Sequence, residues 1–256
     1  MTDEPCPERK IIIGQVSSCR YRPKKVDGLV ILVGDSTAKS LSDGFVTAAN
    51  NMGLEAMVFQ RSGCPFQVID SPFSTFCKSR NRSIWSAIRT LKPVAVVISN
   101  LNYLYVRDIG LPGYPIGPTR VAWANETQKI FAQLRNLKTQ GLLVQPVPEF
   151  ASDIRYEVTV LKKNVIGEDR IVLNRENEIL NRMDTNGVME VFDGRSVLNL
   201  YSQLCNANLC SQVKNGKFMY EDGSHLSSVG SMVLVPEIEG AIRTLVQKGF
   251  RFRNLR

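Results

Sequence analysis

Ile31–Leu41 reads ILVGDSTAKSL, and the change of pattern inside it decides the fold class. Leu29–Val33 is an apolar run of strand length, the mark of a strand buried on both faces. Beyond it, Ala38, Leu41, Phe45, Ala48, Ala49 and Met52 recur at three- and four-residue steps, and Gly53 follows. That spacing predicts a helix with one apolar face and a glycine stop. Gly34-Asp35-Ser36 falls on the tight turn between the two. A serine there points its hydroxyl into the crevice above a sheet, and the amides at the helix start can donate to an oxyanion. The tripeptide alone is weak evidence of chemistry, because Asp and Ser are common helix caps.

The same alternation runs outward from this stretch. Ala56–Phe59, Val94–Ile98, Leu142–Val147 and Val188–Phe192 read as further buried strands. Asn81–Leu91 carries Ile84, Ile88 and Leu91 on one helical face. Thr119–Thr139 aligns Ile130, Phe131, Leu134 and Leu137, with Gly141 read as its terminator. Ser227–Lys248 reads as a closing helix, with Val229, Val233, Ile238, Ile242 and Val246 mostly on one side. Strands alternating with helices give parallel βαβ units. The expected class is therefore α/β, a three-layer α/β/α sandwich around a mainly parallel five-stranded sheet of flavodoxin-like form. Its site should lie at the carboxyl ends of the strands. Gly110–Pro118 is a loop by composition, and the region from Glu149 to Met183 is polar and reads as helical. No repeat or linker divides the chain, so one domain is expected over residues 1–256, with 1–27 as an N-terminal extension.

With 256 residues, 43% hydrophobic and 22% charged, the chain can bury a full core. No stretch approaches the ~18 consecutive apolar residues of a membrane span. The start, MTDEPCPERK, is acidic and lacks the apolar segment of a signal peptide. Six cysteines, no CxxC and a single histidine argue against a zinc site, and no metal is expected. The cysteines fall in three local pairs, Cys6–Cys19, Cys64–Cys77 and Cys205–Cys210. Proximity reads these as disulfides; buried thiols are the alternative. Disulfides place the domain in an oxidising compartment, with a leader or membrane anchor outside this sequence.

The net charge of +8 has two denser runs. Arg9, Lys10, Arg20, Arg22, Lys24 and Lys25 form one, and Lys248, Arg251, Arg253 and Arg256 the other. Both read as solvated tails, with anionic lipid or an acidic polysaccharide as the alternative partner. No nucleic-acid motif accompanies the charge, and nucleic acid is not an expected partner.

His225 gives the GDS turn its significance. It lies in YEDGSHLSSVGS (Tyr220–Ser231), three residues after Asp222 and just before the last helix. A serine hydroxyl is a poor nucleophile until a neighbouring base takes its proton. The imidazole in turn needs a carboxylate to fix its tautomer and stabilise the imidazolium. A DxxH turn supplies both from one short loop, so Ser36, Asp222 and His225 are the candidate triad.

GDS after the first strand and DxxH before the last helix resemble the SGNH (GDSL) hydrolase superfamily. Within it, the chain is most similar to the extracytoplasmic SGNH domain fused to acyltransferase-three membrane proteins, which O-acetylate bacterial surface polysaccharides. The matching stretches are LVGDSTA with Ser36, SGCPF at Ser62–Phe66, Cys77, KPVAVVISNLNYL at Lys92–Leu104, the Cys205/Cys210 pair, and YEDGSHLSSVGS. They cover nearly the whole chain. The resemblance implies Ser36 as nucleophile, His225 as general base and acid, and Asp222 as its orienter. It also implies an oxyanion hole from the amides of Ser36 and Gly63 and the side chain of Asn100, with Asn102 the alternative. For Gly63 the simpler reading is a turn glycine, and for Asn100 a strand-end cap. Two positions depart from the family: Thr37 stands where a histidine is usual, and Leu101 where an aromatic is common.

The implied activity is acetyl transfer to hydroxyls of a polysaccharide or glycolipid such as lipopolysaccharide O-antigen, through an acyl-serine. No bound cofactor is implied. The acetyl group would derive from acetyl-CoA through a transmembrane acyltransferase domain of the same polypeptide, with the SGNH domain at the periplasmic face of the inner membrane. A carbohydrate esterase with the same triad is the alternative, and an inactive glycan-binding domain a further one. Gly110–Pro118 and Glu149–Met183 are the expected places for acceptor contacts.

Overall fold

The computed structural model describes residues 10–67, 75–101, 105, 119–150, 196–205, 210, 212–214 and 217–253. In chain order they form β1 (Lys10–Ile13), β2 (Val16–Tyr21), β3 (Gly28–Gly34), α1 (Ser36–Ser40), α2 (Ser42–Asn51), β4 (Leu54–Gln60) and α3 (Thr75–Leu91). Then come β5 (Ala95–Ser99), α4 (Arg120–Asn136), β6 (Gln140–Val144), β7 (Val197–Leu198), α5 (Tyr201–Leu204), β8 (Val213–Lys214), β9 (Lys217–Phe218), α6 (Ser228–Val233) and α7 (Val235–Arg253).

The main sheet has the order β1-β2-β4-β3-β5-β6-β7. Its five strands from β4 to β7 are all parallel, as the apolar runs predict. Alternate residues of β3 face opposite layers, because strand side chains alternate across the sheet. Val30 and Leu32 join the core built with α2 and α7, through Phe45, Ala48, Ile238 and Ile242. Ile31 and Val33 join the core built with α3 and α4, through Ile84, Ile88, Trp123 and Ile130. The chain leaves β3 for β4 on one side and then crosses to β5 on the other. This reversal opens a crevice at the carboxyl end of β3, where Ser36 begins α1.

Several expectations change in detail. Within the expected N-terminal extension, β1 and β2 form an antiparallel hairpin, and β2 pairs with the edge of β4. Arg20 and Arg22 are not simply tail charges, although Arg22 stays 44% exposed. Both bond the buried Glu55 carboxylate, Arg20 with two nitrogens and Arg22 through Nε at 3.1 Å. The helix after β3 breaks at Leu41 into α1 and α2, and the last helix breaks at Leu234, just before Pro236. A proline is tolerated there because the first turn leaves its N–H unbonded anyway. Gly141 is not the terminator of α4 but a residue of β6; Lys138 makes the turn with φ +58°. The Val188–Phe192 strand lies outside the described residues, as do Gly110–Pro118 and all of Glu149–Met183 beyond Phe150. The fifth parallel strand among the described residues is β7.

Cys64–Cys77 and Cys205–Cys210 are disulfides. Cys19 is also oxidised; its expected partner Cys6 lies outside the described residues. No helix among the described residues is long and apolar enough to cross a membrane.

Candidate active site

The turn that carries Ser36 starts at Gly34, whose φ is +152°. A Cβ there would stand 1.7 Å from the carbonyl oxygen of Ser99 on β5, so no other residue fits without moving a strand. Asp35 follows, fully buried, and caps α1. One carboxylate oxygen accepts the Thr37 amide and hydroxyl, both at 2.9 Å. The other accepts the Leu101 amide and the Tyr105 hydroxyl, both at 2.8 Å. Thr37 Oγ1 lies 3.0 Å from Ser99 Oγ. A buried carboxylate is tolerated when several donors surround it, and these donors tie the Ser36 turn to the segment after β5.

His225 reaches the same crevice from the other end of the chain. An antiparallel bridge between Tyr220 and Leu226 closes its loop, and the Glu221 amide donates to the His225 carbonyl at 2.8 Å. Within the loop, Asp222 Oδ1 accepts the amides of Ser224 and His225, both at 2.7 Å. This is the Asx-turn geometry for which aspartate is favoured. Asp222 Oδ2 lies 2.8 Å from His225 Nδ1, and His225 Nε2 lies 2.8 Å from Ser36 Oγ. Partial burial pushes the Asp222 carboxyl upward, but hydrogen bonds from the Ser224 amide and from the His225 ring and amide outweigh it. They hold the group below its ordinary value. An ionised Asp222 favours the tautomer with hydrogen on Nδ1 and a lone pair on Nε2 facing the serine. In that state the chain Ser36–His225–Asp222 can take the hydroxyl proton as the oxygen attacks.

The remaining candidates flank this line. Gly63 sits in an exposed turn with φ +71°, which L side chains avoid. A Cβ would meet nothing within 4 Å, so glycine is set there by backbone conformation, not by crowding. The turn is anchored to the end of β3, because the Arg61 amide donates to the Gly34 carbonyl at 3.2 Å. Asn100 is buried, and its carboxamide is tied to Phe66: Oδ1 accepts the Phe66 amide at 3.0 Å, and Nδ2 donates to the Phe66 carbonyl at 3.4 Å. Asn100 therefore braces the Gly63 loop, and the strand-end reading of it is incomplete. Asn102 lies outside the described residues. Among those described, no group of His, Cys, Asp and Glu side chains is arranged to hold a metal ion.

Asp35 reads in the sequence only as part of the GDS turn and a helix cap, and the motifs do not include Tyr105, Arg80 or Asn81. The last two lie on α3 beside Cys77 at spacings of three and four. One helix face that carries a cysteine, an arginine and an asparagine toward the core is the signal that marks them.

A family model described as the SGNH domain fused to AT3 domains matches residues 5–240. No curated protein matches the sequence. Among solved structures, the periplasmic domain of a lipopolysaccharide acetyltransferase from Salmonella ser. Paratyphi A is similar, with TM-score 0.60 and 19% identity, over 86% of this chain and 85% of that one. A GDSL-like lipase from Bacteroides thetaiotaomicron VPI-5482 matches with TM-score 0.50 and 13% identity, over 86% and 88%. An acetyl xylan esterase matches with TM-score 0.50 and 12% identity, over 84% and 99%. At these identities the structural likeness shows the fold, while the family match covers most of the chain. The chain belongs to the family of SGNH domains found fused to AT3 domains.

Proposed function

We propose that this domain transfers acetyl groups to hydroxyls of a bacterial surface polysaccharide such as O-antigen, through an acyl-Ser36 intermediate. The observation that carries the reading is the 2.8 Å contact of Ser36 Oγ with His225 Nε2, with Asp222 at 2.8 Å from the opposite ring nitrogen. Ser36 Oγ attacks the acetyl carbonyl while Nε2 takes its proton, and a tetrahedral oxyanion forms. The amides of Ser36 and Gly63, with Asn100, are the donors to that oxygen. His225 returns the proton to the departing group and leaves acetyl-serine. A sugar hydroxyl then gives its proton to Nε2 and attacks the acyl carbon; collapse releases the acetylated glycan and restores Ser36.

The fusion to AT3 domains in the family supports a transmembrane acyltransferase as donor in the same polypeptide, drawing its acetyl group from acetyl-CoA. The SGNH domain itself then needs no bound cofactor. Two described disulfides fit the oxidising periplasmic face of the inner membrane, the compartment of the Salmonella domain that shares the fold. A second reading is favoured by the likeness to an acetyl xylan esterase: the same triad with water as second nucleophile would remove acetyl groups from a glycan.

Intact-protein mass after mixing with an activated acetyl ester tests both readings. Wild type should gain one acetyl group and Ser36→Ala none. Discharge accelerated by a glycan, with acetylated glycan as product, supports the transferase; discharge to acetate at the same rate with and without glycan supports the esterase. A folded, oxidised wild type that is never acetylated and shows no Ser36-dependent turnover overturns the proposal.

A further inference from the structure

Arg80 is a charged side chain without a carboxylate partner among the described residues, and it is only 3% exposed. It projects from α3 to the carboxyl ends of β3 and β4. Its Nη2 donates to the Phe59 carbonyl at 2.8 Å and to the Gly34 carbonyl at 3.4 Å, and its Nη1 to Asn81 Oδ1 at 3.2 Å. Asn81 Nδ2 then donates to the carbonyls of Pro65 and Gln67, at 2.8 and 3.0 Å. Burying a cation without a direct counter-ion is costly, and an apolar side chain would fill the same space. Burial and the nearby Arg61 charge lower the Arg80 pKa to about 10, against the opposing pull of Asp35, so the group stays charged at neutral pH.

The carbonyls it holds are not arbitrary. Gly34 immediately precedes Asp35-Ser36, and Phe59 lies two residues before Arg61, where the Gly63 turn begins. Asn81 holds the same loop beyond Gly63, and the Cys64–Cys77 disulfide joins that loop to the same helix. One face of α3 therefore grips both segments whose relative position sets nucleophile against oxyanion donor. We propose that Arg80, supported by Asn81, is a positioning residue of the acyl-transfer site, fixing the ends of β3 and β4 so that Ser36 and the Gly63 turn keep their register. The inference rests on Ser36 being the nucleophile. It predicts loss of rate more than loss of binding, since a misplacement of about 1 Å can cost ~10²-fold.

The test is the acylation rate with 4-nitrophenyl acetate, for wild type, Ser36→Ala, Arg80→Met, Arg80→Lys and Asn81→Ala, each confirmed to unfold cooperatively with its disulfides intact. Arg80→Met should lower kcat about 10- to 100-fold, with KM within about threefold. Arg80→Lys, which keeps the charge and one donor, should recover part of that loss. A folded Arg80→Met that acylates within about twofold of wild type, or a loss confined to KM, overturns the proposal. Should Arg80→Met fail to fold, the other two variants decide: a fall in kcat at constant KM in both supports it, and wild-type rates in both overturn it. Acylation of Ser36→Ala at the wild-type rate would overturn the nucleophile assignment and this inference together, a result distinct from failure of the Arg80 variants alone.

Discussion

At the Gly34–Thr37 turn the carboxylate of Asp35 is fully buried and bonded by residues as distant in sequence as Leu101 and Tyr105. In the Asp222–His225 turn, by contrast, the Asp222 side chain is 47% exposed and bonds residues two and three positions away. Both loops use aspartate as a hydrogen-bond acceptor, yet one is joined to the core and the other is a local module laid over it. The Ser36 turn is thus set by the assembly of the sheet. The Asp222–His225 turn is set largely by its own sequence, with outside ties from the Phe150 amide to the Gly223 carbonyl at 2.7 Å and from the His225 ring to Ser36. Substitutions in the two places should divide between stability and chemistry.

The largest effect tests the chemistry where the loops meet. Ser36→Ala and His225→Ala should each lower turnover of an acetyl ester by ~10⁴-fold or more, with little change in the thermal unfolding midpoint. Asp222→Asn comes next: loss of the carboxylate that fixes the ring tautomer should cost ~10³- to 10⁴-fold in kcat, again with stability nearly unchanged. If Asp222→Asn melted the protein instead, the Asp222–His225 turn would not be a local module and the contrast would fail.

Asp35→Ala should do the reverse and act first on folding. It removes the acceptor for the Leu101 amide, the Tyr105 hydroxyl and both Thr37 donors in a dry environment. Each buried donor left unsatisfied costs about 1–3 kcal/mol, so a loss of roughly 3 kcal/mol or more in urea unfolding is expected. Stability within about 0.5 kcal/mol of wild type would show that Asp35 does not hold the elbow.

The same contrast explains what could be read from the sequence. GDS and DxxH announce themselves because each is a local pattern whose chemistry needs those residue types at that spacing. The parallel strands are legible because a strand buried on both faces is apolar throughout, as Leu29–Val33 is. The β1–β2 hairpin escaped notice because its charges suggest a tail, and only the distant Glu55 explains Arg20 and Arg22. Arg80, Asn81 and Tyr105 escaped for the same reason: their partners lie from about 15 to 70 positions away, and no period or motif encodes such pairings. Asn100 is named by the resemblance alone, and its tie to Phe66 is not legible in the sequence.

The smallest predicted effect concerns the Asp222 carboxyl and pH. Hydrogen bonds hold the Asp222 carboxyl below its ordinary value of 3.8, so the native state binds a proton there less readily than the unfolded chain. The stabilisation is then fully present above the ordinary value and is lost as pH falls through the lower native one. Half-exposure and screening keep it small, under about 1 kcal/mol. In urea unfolding at pH 7, 5 and 3, wild type should exceed Asp222→Asn by a small, constant margin at the two higher values. That margin should shrink at about pH 3, and it should be smaller throughout at high salt. A margin that widens on acidification would mean that Asp222 is held protonated in the folded protein. Its carboxylate could not then orient His225 toward Ser36, and the Asp222–His225 turn would lose the feature on which the proposed chemistry depends.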